Sequence, residues 1–204
     1  KDRRLRESSA TSIDRERLTN GELGGSAQPS ISFLPRKKKK NARLLFDVDR
    51  AKQLVAEAGY LNGAGFPNIR LLIHRNDMPQ RVARAVAKMW KQNLNLDTEI
   101  IVKELSEIET MRASGEYDLV RRGVVLPTFD EMAGMSAIFG VAEKAEPQTL
   151  SKQVENNAQQ LSPPADERSI LNADKNDIVT EEQAVFELPA IPLYFPLSYA
   201  LVKP

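Results

Sequence analysis

The sequence predicts an α/β fold, a mixed sheet flanked by helices, in a single unit spanning residues 1–204. Three observations carry that expectation. Residues 46–60 (FDVDRAKQLVAEAGY) place Ala51, Leu54, Val55 and Ala58 at the i, i+3, i+4, i+7 spacing of an amphipathic helix. Residues 78–94 repeat the pattern, with Val82, Ala83, Val86, Met89, Trp90 and Leu94 as the inner stripe. Two short branched runs, 68–73 (NIRLLI) and 98–102 (TEIIV), have strand composition and bracket the second helix. Residues 68–102 therefore form one β-α-β unit, a crossover that is right-handed and parallel in nearly all known cases.

The local signals support each element in turn. Residues 3–18 could share a helix face through Leu5, Ala10, Ile13 and Leu18, weakened by the Ser8-Ser9 pair. Asn20-Gly21 and Gly24-Gly25 mark turns, and the alternation in 29–35 (PSISFLP) predicts a strand. Asp47 or Asp49 can cap the helix of 48–58, and Gly59 stands where it should end. Asp77 can cap the helix of 78–94, whose first turn accommodates Pro79. Central strands are expected near 68–74 and 98–103, a helix at 105–114, and a third strand at 117–126 (YDLVRRGVVL). Beyond Gly123 the pattern weakens. Residues 129–139 suit a helix whose methionines are core filler, 141–162 a polar Gln/Asn-rich helix, and 166–187 a last, irregular helix. Residues 190–202 are apolar and aromatic, but Pro192 and Pro196 make them an edge or crossing strand.

Composition narrows the function classes. Hydrophobic residues make up 41% and the net charge is +1, which argues against general polyanion binding and so against a nucleic-acid partner. The charge is unevenly spread: residues 1–50 carry +6 and residues 140–204 carry −5. The block of five basic residues at 36–40 (RKKKK) is either an anionic-patch binder or a solvated loop, and no aromatic residue interleaves with it. No apolar run approaches a membrane span, and the first residues lack the apolar stretch of a signal peptide. The absence of cysteine excludes disulfides, thiolate metal sites and cysteine nucleophiles.

Few residues suit chemistry. His74 is the sole histidine, at a strand end where ligands bind in open α/β sheets; it is either a ligand contact or a strand-end residue bonded to backbone. No dinucleotide, Walker, nucleophile-elbow or zinc-protease motif is present, and no cofactor or metal site is expected. Arg121 and Arg122 fall within one strand, so one must point to each face. One of them is therefore directed at a cleft or paired with a neighbour such as Asp118.

The succession DRRLRESSATSIDRERL, GGSAQPSISFLP, FDVDRAKQLVAEAGYLNGAGFPNIRLL, VAKMWKQNLNLDTEI, SGEYDLVRRG and LPAIPLYFPLSYALVKP resembles the C-terminal half of the family 5 extracellular solute-binding proteins. These are the oligopeptide- and dipeptide-binding components of ABC importers. The resemblance implies the second lobe of a type II periplasmic-binding-protein-like fold, with the first lobe and the extreme C-terminus absent and at most half of the cleft present. It implies a non-enzymatic solute-binding component taking a peptide or related small solute. Its partner would be a membrane permease, and its location the periplasm or cell exterior. In peptide-binding members an Arg-x-Gly-Trp pattern leads to an Asp that receives the peptide's amino terminus. Arg121 and Gly123 match that pattern, Val124 takes the Trp position, and Pro127 takes the Asp position. Proline cannot hold an ammonium group, since the charge-assisted hydrogen bond disappears. Arg121, Gly123, Val124, His74 and Asn76 are accordingly the candidate ligand-binding residues. Two alternatives stand beside this one: a degenerate lobe serving as a non-transport interaction or sensor module, and a small α/β enzyme or nucleotide binder. Ser8, Ser9 and Thr11 replace the small apolar residues expected in the first helix, which predicts looser packing there.

Overall fold

The computed structural model describes residues 2–35, 42–126, 130–139 and 180–197. The basic block at 36–40, Pro127, the polar segment 141–162 and most of the last irregular helix lie outside them. The β-α-β unit forms as its periodicity requires. Strand β2 (Ile69–His74) leads into helix α4 (Asp77–Leu94), which returns to β3 (Thr98–Lys103). The two strands pair parallel, from Ile69 opposite Thr98 to His74 opposite Lys103. All six residues of the α4 stripe are buried. The helix cap is Asn76 rather than Asp77: the Asn76 side chain, on extended backbone, accepts from Met78 N–H, and Asp77 is already helical.

The third strand is shorter than the sequence predicts. Only β4 (Leu119–Val120) is laddered, parallel to β2, with Leu72 opposite Val120. By that register His74 stands opposite Arg122, and β2 ends there, so residues beyond it have no strand to pair with. The sheet order is β3-β2-β4, which makes β2 central and moves β3, expected at the centre, to an edge. Parallel and antiparallel pairings occur in separate sheets. The antiparallel pair is β1 (Ala27–Pro29) with β5 (Tyr194–Pro196), an edge strand as its prolines require. The strand expected over 29–35 stops at Pro29 because side chains take up the following backbone groups. The Ser30 hydroxyl bonds the N–H and C=O of Ser32, and the buried Glu181 carboxylate accepts from Phe33 N–H and Leu34 N–H.

Helix α1 (Arg3–Thr11) ends short of the expected 3–18 span. Asp14 then caps a single turn, α2 (Arg15–Arg17), which runs on into a π-type turn at Leu18–Glu22. The packing of α1 is tight, contrary to expectation. Ser8 and Thr11 are fully buried, and their hydroxyls donate to the carbonyls of Leu5 and Glu7, so neither brings an unpaired polar atom into the core. Its last carbonyls, which no helical amide reaches, are taken up by other elements. Trp90 Nε1–H donates to Ser9 O at 2.9 Å, Arg15 Nη1 to Ala10 O at 3.1 Å, and Asp47 N–H to Thr11 O at 2.9 Å.

Arg15 forms the junction. Its side chain is 4% exposed and also donates to the carbonyls of Ile13, Leu44 and Pro192, with no carboxylate partner among the described residues. Burial pushes its pKa down to about 10, so it stays cationic at neutral pH. The partial negative charge at the C-terminal end of α1 stands in for the missing anion.

Helix α3 (Val48–Glu57) packs on α1 and α4, capped by Asp47 and followed by Gly59 at φ +96°. One apolar cluster joins α3, α4, β1 and Leu18. A second joins Phe33, Leu34 and Leu44 to Met135 of α6 (Glu131–Phe139) and to Ala184 and Val185 of α7 (Glu181–Glu187). Met135 is core, as expected of these methionines, whereas Met132 is exposed. Helix α5 (Leu105–Ser114) follows β3 and buries none of its residues.

Candidate functional site

In open α/β sheets the crevice outside the carboxyl ends of parallel strands is where ligands bind. Here that edge is formed by the end of β2, the chain leaving β4, and the first turn of α4. Arg121 lies on it. Its backbone N–H donates to Leu72 O at 3.0 Å, continuing the alignment of β4 for one residue. Its half-buried side chain reaches the α4 side, where Nη2 donates to the Tyr194 hydroxyl at 2.8 Å. That hydroxyl in turn donates to Met78 Sδ at 3.9 Å, in the first turn of α4. Arg122 is exposed, in keeping with the alternation. The structure pairs neither arginine with Asp118, whose carboxylate instead binds Arg70, with Nη2···Oδ1 at 3.2 Å.

The other candidates fall on the same edge in different states. His74 ends β2, half-buried opposite Lys103. Asn76 is engaged as the α4 cap. Gly123 and Val124 are exposed, as is Val125 at 92%. Arg75 closes the edge toward α5 through a 2.5 Å contact with Glu104. The geometry thus brings Arg121 to the α4 N-terminus and adds two residues that the sequence reading passed over, Tyr194 and Met78. Tyr194 is 73 positions from Arg121, and nothing local separates its hydroxyl from that of any strand aromatic.

A recess along the second half of α4, lined by Arg17, Glu22, Ala85, Lys88, Met89 and Gln92, holds about 30 Å³. That is far below the several hundred Å³ typical of a small-molecule pocket. Among the described residues no group of three or more His, Asp or Glu side chains could hold a metal, and no helix is long and apolar enough to cross a membrane.

The architecture is that of the periplasmic binding proteins for peptides. A periplasmic oligopeptide-binding protein of an oligopeptide ABC transporter from Borrelia burgdorferi superposes on 68% of this chain with a TM-score of 0.62 at 31% identity, and 28% of that structure is covered. OppA of Burkholderia pseudomallei superposes on 66% with a TM-score of 0.56 at 25% identity, again over 28% of its own length. In sequence, the periplasmic murein peptide-binding protein MppA of Escherichia coli (strain K12) is 24% identical over the whole chain, which spans 39% of that relative. Residues 1–146 match the family described as bacterial extracellular solute-binding proteins, family 5, middle region. The chain belongs to that family.

Proposed function

We propose that this chain is one lobe of an ABC-importer solute-binding component that contributes half of the cleft for a peptide or related small solute, which is handed to a membrane permease outside the cytoplasm. On this reading it binds and releases its solute without chemical change. The observation that supports it best is Arg121 at the carboxyl edge of the sheet, half-buried and held by a neutral hydroxyl next to the first turn of α4. A guanidinium offers five donors in a planar fork suited to a carboxylate. Helix α4 adds the positive end of its dipole at the same place. His74, Gly123 and Val124 would border the ligand, while Asn76 would act through the cap it provides. In the full-length protein, Arg121→Ala should weaken binding of a carboxylate-bearing solute roughly 10- to 100-fold, the worth of a charge-assisted hydrogen bond. Titration calorimetry measures this, with the far-UV spectrum unchanged. An unaltered dissociation constant would refute the assignment.

One observation favours a second reading. On the resemblance to the family, Pro127 falls where peptide-binding members carry the Asp for the peptide amine. A lobe that had lost this anchor could instead serve as an interaction or sensor module without transport. Peptides with acetylated amino termini separate the two readings. If they bind as well as free peptides, the amine is unread but solute binding persists; if neither binds, the module reading is favoured.

A further inference from the structure

Arg121 is held differently from three arginines between β2 and α5. Arg70, Arg75 and Arg112 are each fixed by a carboxylate, of Asp118, Glu104 and Glu109 respectively. A carboxylate holds a guanidinium in place but neutralises it. Arg121 is held by a phenol, which carries no charge at neutral pH. Among the described residues one of its five N–H groups is used, which leaves four donors and the positive charge available.

The polarity of the tether is determined as well. A guanidinium cannot accept a hydrogen bond, so the Tyr194 oxygen must turn its lone pairs to Arg121 and send its proton elsewhere. Met78 Sδ, at 3.9 Å, receives it. The backbone beneath Tyr194 is fixed from three sides. Tyr194 stands opposite Pro29 in the β1–β5 ladder, Ser30 N–H donates to Leu193 O at 3.1 Å, and the buried Arg15 Nε donates to Pro192 O at 2.9 Å.

We propose that Tyr194 is a positioning residue that aims the Arg121 guanidinium along the sheet edge while leaving its charge free for a carboxylate ligand. The inference rests on the reading of Arg121 as ligand-facing and adds what determines its charge and direction. A carboxylate at position 194 would hold the guanidinium equally still and abolish its use. An apolar residue there would leave the charge but let the side chain swing, so that part of the binding free energy would go to ordering it.

The test uses acetate, the group that any carboxylate ligand carries, and follows the Arg121 Nε–H signal by NMR in the full-length protein. In the unmodified protein the signal should move saturably in the millimolar range. Tyr194→Phe, which keeps the ring, should weaken the acetate dissociation constant about five- to tenfold. Tyr194→Glu should abolish the response. Should Tyr194→Phe disturb the fold, Tyr194→Gln supplies a neutral acceptor in its place, and it should retain the response better than Tyr194→Glu. An Arg121 signal indifferent to acetate in the unmodified protein overturns both the ligand reading of Arg121 and the role of Tyr194. A response equal in the unmodified protein and Tyr194→Phe overturns the role of Tyr194 alone.

Discussion

Arg15→Met should destabilise the folded chain by about 3 kcal/mol or more, read as a lower midpoint in urea at an unchanged slope. The guanidinium donates to carbonyls from four residues, Ala10, Ile13, Leu44 and Pro192. Hydrogen bonds from a charged donor contribute roughly 1.5–3 kcal/mol each. Against them stands the cost of burying the cation, on the order of 3 kcal/mol for a pKa brought down to about 10. Although the two Nη1 protons are shared among three carbonyls and Nη2 is buried without a partner among the described residues, the bonds outweigh that cost. Methionine fills much of the volume but donates nothing, so the carbonyls at the end of α1 and before β5 lose their partner. Arg15→Lys should recover only part of the loss, because an ammonium cannot span carbonyls drawn from three separate stretches of chain. The pH dependence has a definite sign. Since the folded-state pKa is depressed, the burial cost is complete below about pH 10 and lessens as the pH rises through it. The effect of Arg15→Met should therefore be flat across neutral pH. A loss below about 1 kcal/mol would mean that water replaces the guanidinium, and Arg15 would not be the brace described here.

Trp90→Ala should cost about 3–5 kcal/mol, the usual range for removing a buried tryptophan. Trp90 is 2% exposed in the cluster that joins α3, α4 and Leu18. It combines two contributions: a large apolar surface against the core, and an indole N–H on the carbonyl of Ser9. Trp90→Phe separates them. It keeps most of the ring contact but leaves the Ser9 carbonyl with only the Ser12 hydroxyl as donor, and should cost roughly 1 kcal/mol. Thermal unfolding of both variants checks this, with a shift of about 2–4 °C for each kcal/mol in a chain of this size. Equal losses for the two would assign the whole effect to the hydrogen bond.

Elements whose fate is decided locally were legible in the sequence. The helices expected over 48–58, 78–94 and 105–114 form within a residue of those bounds, because 3.6-residue periodicity and capping residues are properties of the segment itself. Strands β2 and β3, expected at 68–74 and 98–103, were legible too, but the lengths of β1 and β4 were not, since a ladder extends only as far as its neighbour. The β4 ladder stops at Val120, opposite Leu72 and two residues before the end of β2, and beyond β1 the amides of Ser32 and Phe33 go to Ser30 and Glu181. Arg121 stood out through its place in the alternation and the motif around it. Tyr194, which holds it, and Arg15, which anchors the chain before Tyr194, gave no signal. Their partners lie 73 and 177 positions away, and no periodicity registers a contact of that kind.

Helix α5 has a consequence for how the chain breathes. It buries no side chain and is supported by a reciprocal cap between Glu104 and Glu107, a left-handed Gly115 at its end, and surface pairs such as Arg112 with Glu109. A helix of 10 residues held mainly by its own ends is marginal in water, so it should open without the rest of the fold. Its amides should exchange with deuterium through local fluctuations, orders of magnitude faster than those of β2, which should exchange only on global unfolding. The slow-exchanging heart of the molecule then lies between β2 and α4, and α5 is free to shift against it while β3 and β4 stay in register with β2.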